Sequence, residues 1–168
     1  MMSVPSNLRW LCLSVGVAGV DLVMKRAMEG ILADSSIPLL PILSLSLGYN
    51  TGVSFGMFAD PGGWQRWPLV VLSVVIVMGL VVWLTRLPST GEIASKMALA
   101  LIVGGAAGNA ADRAAFGHVT DFILLHWRSW SWPTFNFADI AISAGAVLLV
   151  AVSRHRQPDT ISEQRTNP

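Results

Sequence analysis

Apolar positions gather into four runs along the chain, over 8–25, 67–87, 96–113 and 136–153, separated by stretches richer in Gly, Pro, Asn and Asp. A bilayer core of about 30 Å asks for about 20 helical residues per crossing, so each run is expected to be a transmembrane helix. The second needs no help, because nothing charged lies between Arg66 and Arg86. The uncharged parts of the others are shorter: Trp10 to Val20, Met97 to Ala111 and Ile140 to Ser153. These three cross only if polar residues at their ends enter the membrane or its interface.

Alternating helix direction then decides where those residues go. Asp21 and Lys25 fall at the exit of the first helix, Asn109 and Asp112 at the exit of the third, and Asn136 and Asp139 at the entry of the fourth. All lie on one side, which also holds the long segments 26–66, with Asn50, and 114–135, with Asp121. Asp21 and Lys25 are four apart, on one helix face. They read equally as an ion pair ending a short helix near the headgroups, with Lys25 snorkelling, or as the brace of a polar pocket.

The segments between helices carry a different period. Leu43 to Leu47 alternates Leu and Ser, which predicts a short strand, and Leu47 to Gly56 continues it into a turn lying on the membrane surface. Turn chemistry alone accounts for Asn50 and Gly52. Gly117 to Leu125 predicts a second strand, placing Asp121 in apolar surroundings near the bilayer surface. Trp64 and Trp67, and then Trp127, Trp130 and Trp132, suit the interface. Gly104 and Gly108 form a small-residue face for close helix contact. Arg113 is either an interfacial anchor or a clamp on a carboxylate or backbone carbonyl. Asn136 is placed to cap the fourth helix, with Asp139 in its first turn where the helix dipole favours an anion.

Composition supports lipid as the solvent: the 168 residues are 53% hydrophobic and 12% charged, against about 25% charged in soluble domains. A net charge of +1 without a basic block argues against nucleic acid. Cys12 has no cysteine partner. His118 and His126 lack a third ligand at metal spacing, so neither metal nor cofactor is expected. With the N-terminus inside, Arg9, Arg86, Lys96, Arg154, Arg156 and Arg165 lie inside, against Lys25, Arg26, Arg66, Arg113 and Arg128 outside. Six against five becomes six against three once Lys25 and Arg113 are set aside as site residues. Both termini are therefore expected in the cytoplasm. Residues 1–153 form one membrane domain, and 154–168 a polar tail without order. The apolar run after Arg9 has the length of a signal-peptide core, but no clear cleavage site follows it, so the first helix is expected to be kept.

The dipole accounts for Asp139 but leaves Asp121 unexplained. Two neighbouring carboxylates cannot both ionise cheaply; one keeps a proton while the other takes one from water, which generates a nucleophile at an amide carbonyl. Two other classes also place acids in membranes. A proton-coupled carrier carries them at the midplane, often within inverted repeats, and no repeat is found here. A structural subunit would tolerate their loss.

Four blocks carry a resemblance: Asp21-x-x-x-Lys25; Asn50-x-Gly52-x-x-Phe55-Gly56; Gly104-Gly105-Ala106-x-Gly108-Asn109-x-x-Asp112-Arg113; and Val119-x-Asp121-Phe122 followed by Phe135-Asn136-x-Ala138-Asp139. In order and spacing, from Asp21 through Ile142, the chain resembles bacterial signal peptidase II, the lipoprotein signal peptidase family. The resemblance implies four transmembrane helices in the inner membrane, with a small β-rich cradle and a short interfacial helix on the periplasmic face. It implies an aspartyl endopeptidase with Asp121 and Asp139 as the catalytic pair, and Asn50, Gly52, Asn109, Arg113, Asn136, Ala138, Asp21 and Lys25 binding substrate or supporting the site. The implied substrates are prolipoproteins with a diacylglyceryl group on the cysteine after the signal peptide, cut before that cysteine. A monomer in membrane lipid, blocked by globomycin-type lipopeptides, is implied as well. Val53-Ser54 and Ile140 depart from the family pattern in size, which bears on pocket shape.

Overall fold

The structure is a computed structural model describing residues 7–52 and 63–155. Its elements run α1 (Arg9–Ile31), β1 (Ile37–Leu40), β2 (Leu43–Asn50), α2 (Arg66–Arg86), α3 (Ile93–Phe116), β3 (Val119–Trp127), β4 (Trp130–Ser131) and α4 (Phe137–His155). Three helices, α2, α3 and α4, are long and apolar enough to cross a membrane. The fourth long helix, α1, has 23 residues, about 34 Å at 1.5 Å per residue, but Asp21, Lys25, Arg26 and Glu29 interrupt its second half.

Where a helix ending at Lys25 is expected from the sequence, α1 continues to Ile31. Arg26 and Glu29 pair across one turn at 2.8 Å, and the Leu32 amide closes the last turn on Met28 O at 2.8 Å. Asp21 and Lys25 consequently lie inside the helix rather than at its end. The third helix is also longer than expected. It stops at Gly117, whose φ of 82° lets its amide return to Arg113 O at 2.9 Å, a left-handed C-cap that a side chain would disfavour.

The central helix is α3, packed by each of the other three. Small residues set the closeness of two of these contacts. A Cβ on Gly104 would come within 2.6 Å of Ser14 O in α1, and one on Gly105 within 2.5 Å of Ala138 O in α4. Gly145 answers from α4, where a Cβ would lie 2.7 Å from Ala98 O. Backbones approach so closely only where no side chain intervenes, the usual route to helix association in lipid. By contrast α2 touches the bundle along one face. Leu84 is its single buried residue, while Val71, Leu72, Val75 and Met78 are exposed, as suits a surface solvated by acyl chains.

At one end of the bundle β1 to β4 form an antiparallel sheet in that order. The pairing of β2 with β3 sets Leu43 opposite Leu125, Gly48 opposite Asp121 and Asn50 opposite Val119. The segment leading into α4 joins the same strand: Phe135 N–H donates to Ile123 O at 3.0 Å and Ile123 N–H to Phe135 O at 2.9 Å. Gly48 makes room for this segment, since a Cβ there would collide with the Thr134 side chain. The entry of α4 is thereby fixed beside β3. The expected short interfacial helix has no counterpart among the described residues. Val53, Ser54, Phe55, Gly56 and residues 156–168 lie outside them.

Candidate functional site

The first turn of α4 organises the polar end of the bundle. Asp139 N–H donates to Asn136 Oδ1 at 3.0 Å, and Asn136 N–H donates to Asp139 Oδ2 at 3.1 Å. Cap and third helical residue thus satisfy one another's amides, a capping box built with an aspartate. The Asn136 side chain then reaches β3, its Nδ2 donating to Asp121 Oδ1 at 2.6 Å. One residue therefore touches both carboxylates. Asn109 of α3 ties the same groups from below: its Nδ2 donates to Asp139 Oδ1 at 2.9 Å, and its Oδ1 accepts from Asn136 Nδ2 at 3.2 Å and Lys25 Nζ at 2.7 Å.

The two acids differ in surroundings. Asp121 is only 3% exposed, whereas Asp139 is half-buried. Burial, and then the charge of Asp139, push the Asp121 carboxyl from 3.8 up to about 7, against hydrogen bonds from Asn136 and Asn50 and the attraction of Lys25. The protonated form of Asp121 is therefore favoured below about 7.

Beneath them sits a closed ion cluster. Lys25 Nζ lies 2.8 Å from Asp21 Oδ2 and 3.7 Å from Asp112 Oδ2, with all three side chains sealed from solvent. Asp21 Oδ1 accepts the Ala138 amide at 2.8 Å, so α1 holds the backbone beside Asp139. Gly108 is the opening that admits Asp21, since a Cβ there would stand 2.7 Å from Asp21 Oδ2. The pair is a brace within a packed site, and Lys25 does not snorkel.

Arg113 takes one of its two sequence readings. It makes no carboxylate fork among the described residues; its Nη2 donates to Gly52 O at 2.7 Å. Gly52 N–H in turn donates to Asn50 Oδ1 at 3.0 Å, closing an Asx turn that brings the end of β2 over the site. Asp21, Lys25, Asn50, Gly52, Asn109, Arg113, Asp121, Asn136, Ala138 and Asp139 thus converge, with Gly52 and Ala138 bonding through their main chains. Arg26, Glu29 and Thr120, not singled out in the sequence, lie against this group. The spacing of Arg26 and Glu29 is a pairing signal, but nothing marks Thr120. His118 packs edge-on to Tyr49 and His126 bonds Ser44, and no metal-binding group occurs among the described residues.

The family model for signal peptidase (SPase) II matches residues 13–154. A lipoprotein signal peptidase of Pseudomonas fluorescens is 49% identical over 146 residues, covering 85% of each chain. One from Pseudomonas aeruginosa is 46% identical, covering 85% of this chain and 86% of the relative. Two solved bacterial membrane enzymes share the fold, at TM-scores of 0.71 and 0.72 and identities of 21% and 23%. They cover 92% and 89% of this chain and 93% and 94% of their own.

Proposed function

The chain belongs to the signal peptidase II family, a membrane peptidase family acting on prolipoproteins, and from that premise we propose that it is an aspartyl endopeptidase. Its substrates are diacylglyceryl-modified prolipoproteins, and it cuts before the lipidated cysteine. The observation that carries the mechanism is Asn136, bonded through its backbone to one carboxylate and through its side chain to the other.

In this reading Asp121 is the acid and Asp139 the base. Asp121 keeps its proton because of burial and its charged neighbour, and donates it to the carbonyl oxygen of the scissile peptide. Asp139, more open, takes a proton from water, and the hydroxide formed attacks the carbonyl carbon. The tetrahedral intermediate, a gem-diol, then breaks its C–N bond as Asp139 passes that proton to the leaving amine and Asp121 takes back the proton of one hydroxyl, leaving the carboxylic acid product. Asn136 and Asn109 hold the carboxylates throughout, while Arg113 and Asn50 shape the wall through Gly52.

In this reading α1 is a fourth span, both termini are cytoplasmic, the sheet and carboxylates face the periplasm, and the enzyme acts as a monomer. A signal peptide is itself a helix in lipid, so its lipidated end arrives at the depth of these residues. Globomycin-type lipopeptides would compete for the same place. The test is a purified-enzyme assay with a synthetic prolipoprotein carrying the diacylglyceryl group, set against the same peptide without it. Cleavage before the cysteine of the first only is expected; equal cleavage of both would remove the lipid from the recognition.

The pH dependence follows from Asp121. Its folded value lies above the ordinary carboxylate value, so its protonated form is favoured in the fold at low pH and that advantage is lost as pH rises through about 7. Turnover is expected to fall over the same interval, as the shared proton leaves. A pH–rate profile flat from pH 6 to about 9 would contradict it.

A further inference from the structure

Against the carboxylate pair lies a second polar cluster with no step in the hydrolysis. Arg26 pairs with Glu29 at 2.8 Å and, through Nη2, with the sealed carboxylate of Asp112 at 2.5 Å. Its guanidinium also rides 4.2 Å above the Phe116 ring. The same Nη2 donates to Thr120 Oγ1 at 3.1 Å, and that hydroxyl donates onward to Glu29 Oε1 at 2.8 Å. The Thr120 main chain is held just as fully. Its N–H donates to Asp112 Oδ2 at 2.6 Å, and its carbonyl accepts from Asn136 Nδ2 at 3.4 Å.

Thr120 is wholly buried and directly precedes Asp121. Every polar atom it has is therefore gripped by α1, α3 or the α4 cap. An exposed Arg–Glu pair contributes little by itself. This one ends on a fully buried carboxylate and a buried hydroxyl, where small displacements are resisted by packing and charge together. A reacting carboxylate must be held to about 0.5 Å by packing and by hydrogen bonds to the groups around it.

We propose that Arg26 and Glu29 are positioning residues: through Thr120 and Asp112 they lock the strand bearing Asp121 onto the first helix and so fix the spacing of the carboxylate pair. The proposal rests on Asp121 being catalytic, and Asp121→Asn is assayed beside the variants that test it.

The variants are Thr120→Val, which replaces the hydroxyl by a methyl group, Thr120→Ser, which restores it, and Arg26→Met, all in the full chain with lipid-modified prolipoprotein as substrate. Thr120→Val and Arg26→Met are expected to lower kcat by about tenfold with KM changed less than about twofold, because substrate is still bound but the acids are misplaced. Thr120→Ser is expected to recover most of kcat, and Arg26→Met combined with Thr120→Val to do little more harm than Arg26→Met alone. Unchanged kcat in both single variants, failure of Ser to restore it, or a rise in KM matching the fall in kcat would each overturn the proposal. Should Arg26→Met not fold, with Asp112 left buried beside fewer cations, the Val and Ser pair decides alone. Turnover retained by Asp121→Asn would instead bring down the catalytic reading of Asp121, and the positioning role with it.

Discussion

Asp139→Asn is expected to give a folded, membrane-inserted protein that has lost at least about 10³-fold of its turnover, and Asp121→Asn the same. The substitutions preserve shape. At 139 the amide oxygen still accepts from the Asn136 backbone or from Asn109, and at 121 it still accepts from Asn136 Nδ2. An amide, however, can neither take a proton from water nor hand one to a carbonyl. The two variants should differ in stability. Asp121→Asn removes an acid that burial and a neighbouring charge disfavour in its ionised form, so above neutral pH it should resist unfolding as well as the parent or better. Cleavage assays paired with unfolding in mixed micelles would read both effects. A purely structural role for the acids predicts turnover retained in each variant.

Lys25→Met should be the most damaging change to stability outside the acids. The ammonium lies between Asp21 and Asp112 with no exposure, and also donates to Asn109. Without it two sealed carboxylates lose their common cation, a loss of about 3–5 kcal/mol where a buried pair is broken from one side. Arg26 still faces Asp112, and the Ala138 amide still reaches Asp21, so the loss falls chiefly on Asp21. Adding Asp21→Asn to Lys25→Met should therefore recover part of the stability, a non-additivity readable by unfolding the single and double variants side by side. Simple addition of the two losses would place the cluster's strength elsewhere.

Much of this architecture can be read from the chain because lipid leaves few options for polar groups. Asp21, Lys25, Asn109, Asp112, Asn136 and Asp139 sit in or beside apolar runs, and alternating helices send all of them to one end. Asn136 and Asp139 announce a helix start by type and spacing. Other features depend on the third dimension. The reach of α1 to Ile31 follows from Arg26 finding Asp112 eighty-six positions away, which no local pattern encodes. Arg113 had two partners open to it, and only the turn at Gly52 decides for a carbonyl. Thr120 looks like any strand threonine until the ends of α1 and α3 are folded against it.

The bond from Asp21 to the Ala138 amide also bears on the enzyme's own beginning. Its opening stretch looks like the leaders it is proposed to cut from other proteins. Yet a break downstream of Lys25 would carry off a hydrogen bond that α1 gives to the turn holding Asp139. The first helix is thus a working part of the frame, and shearing it away would unseat that turn from a distance.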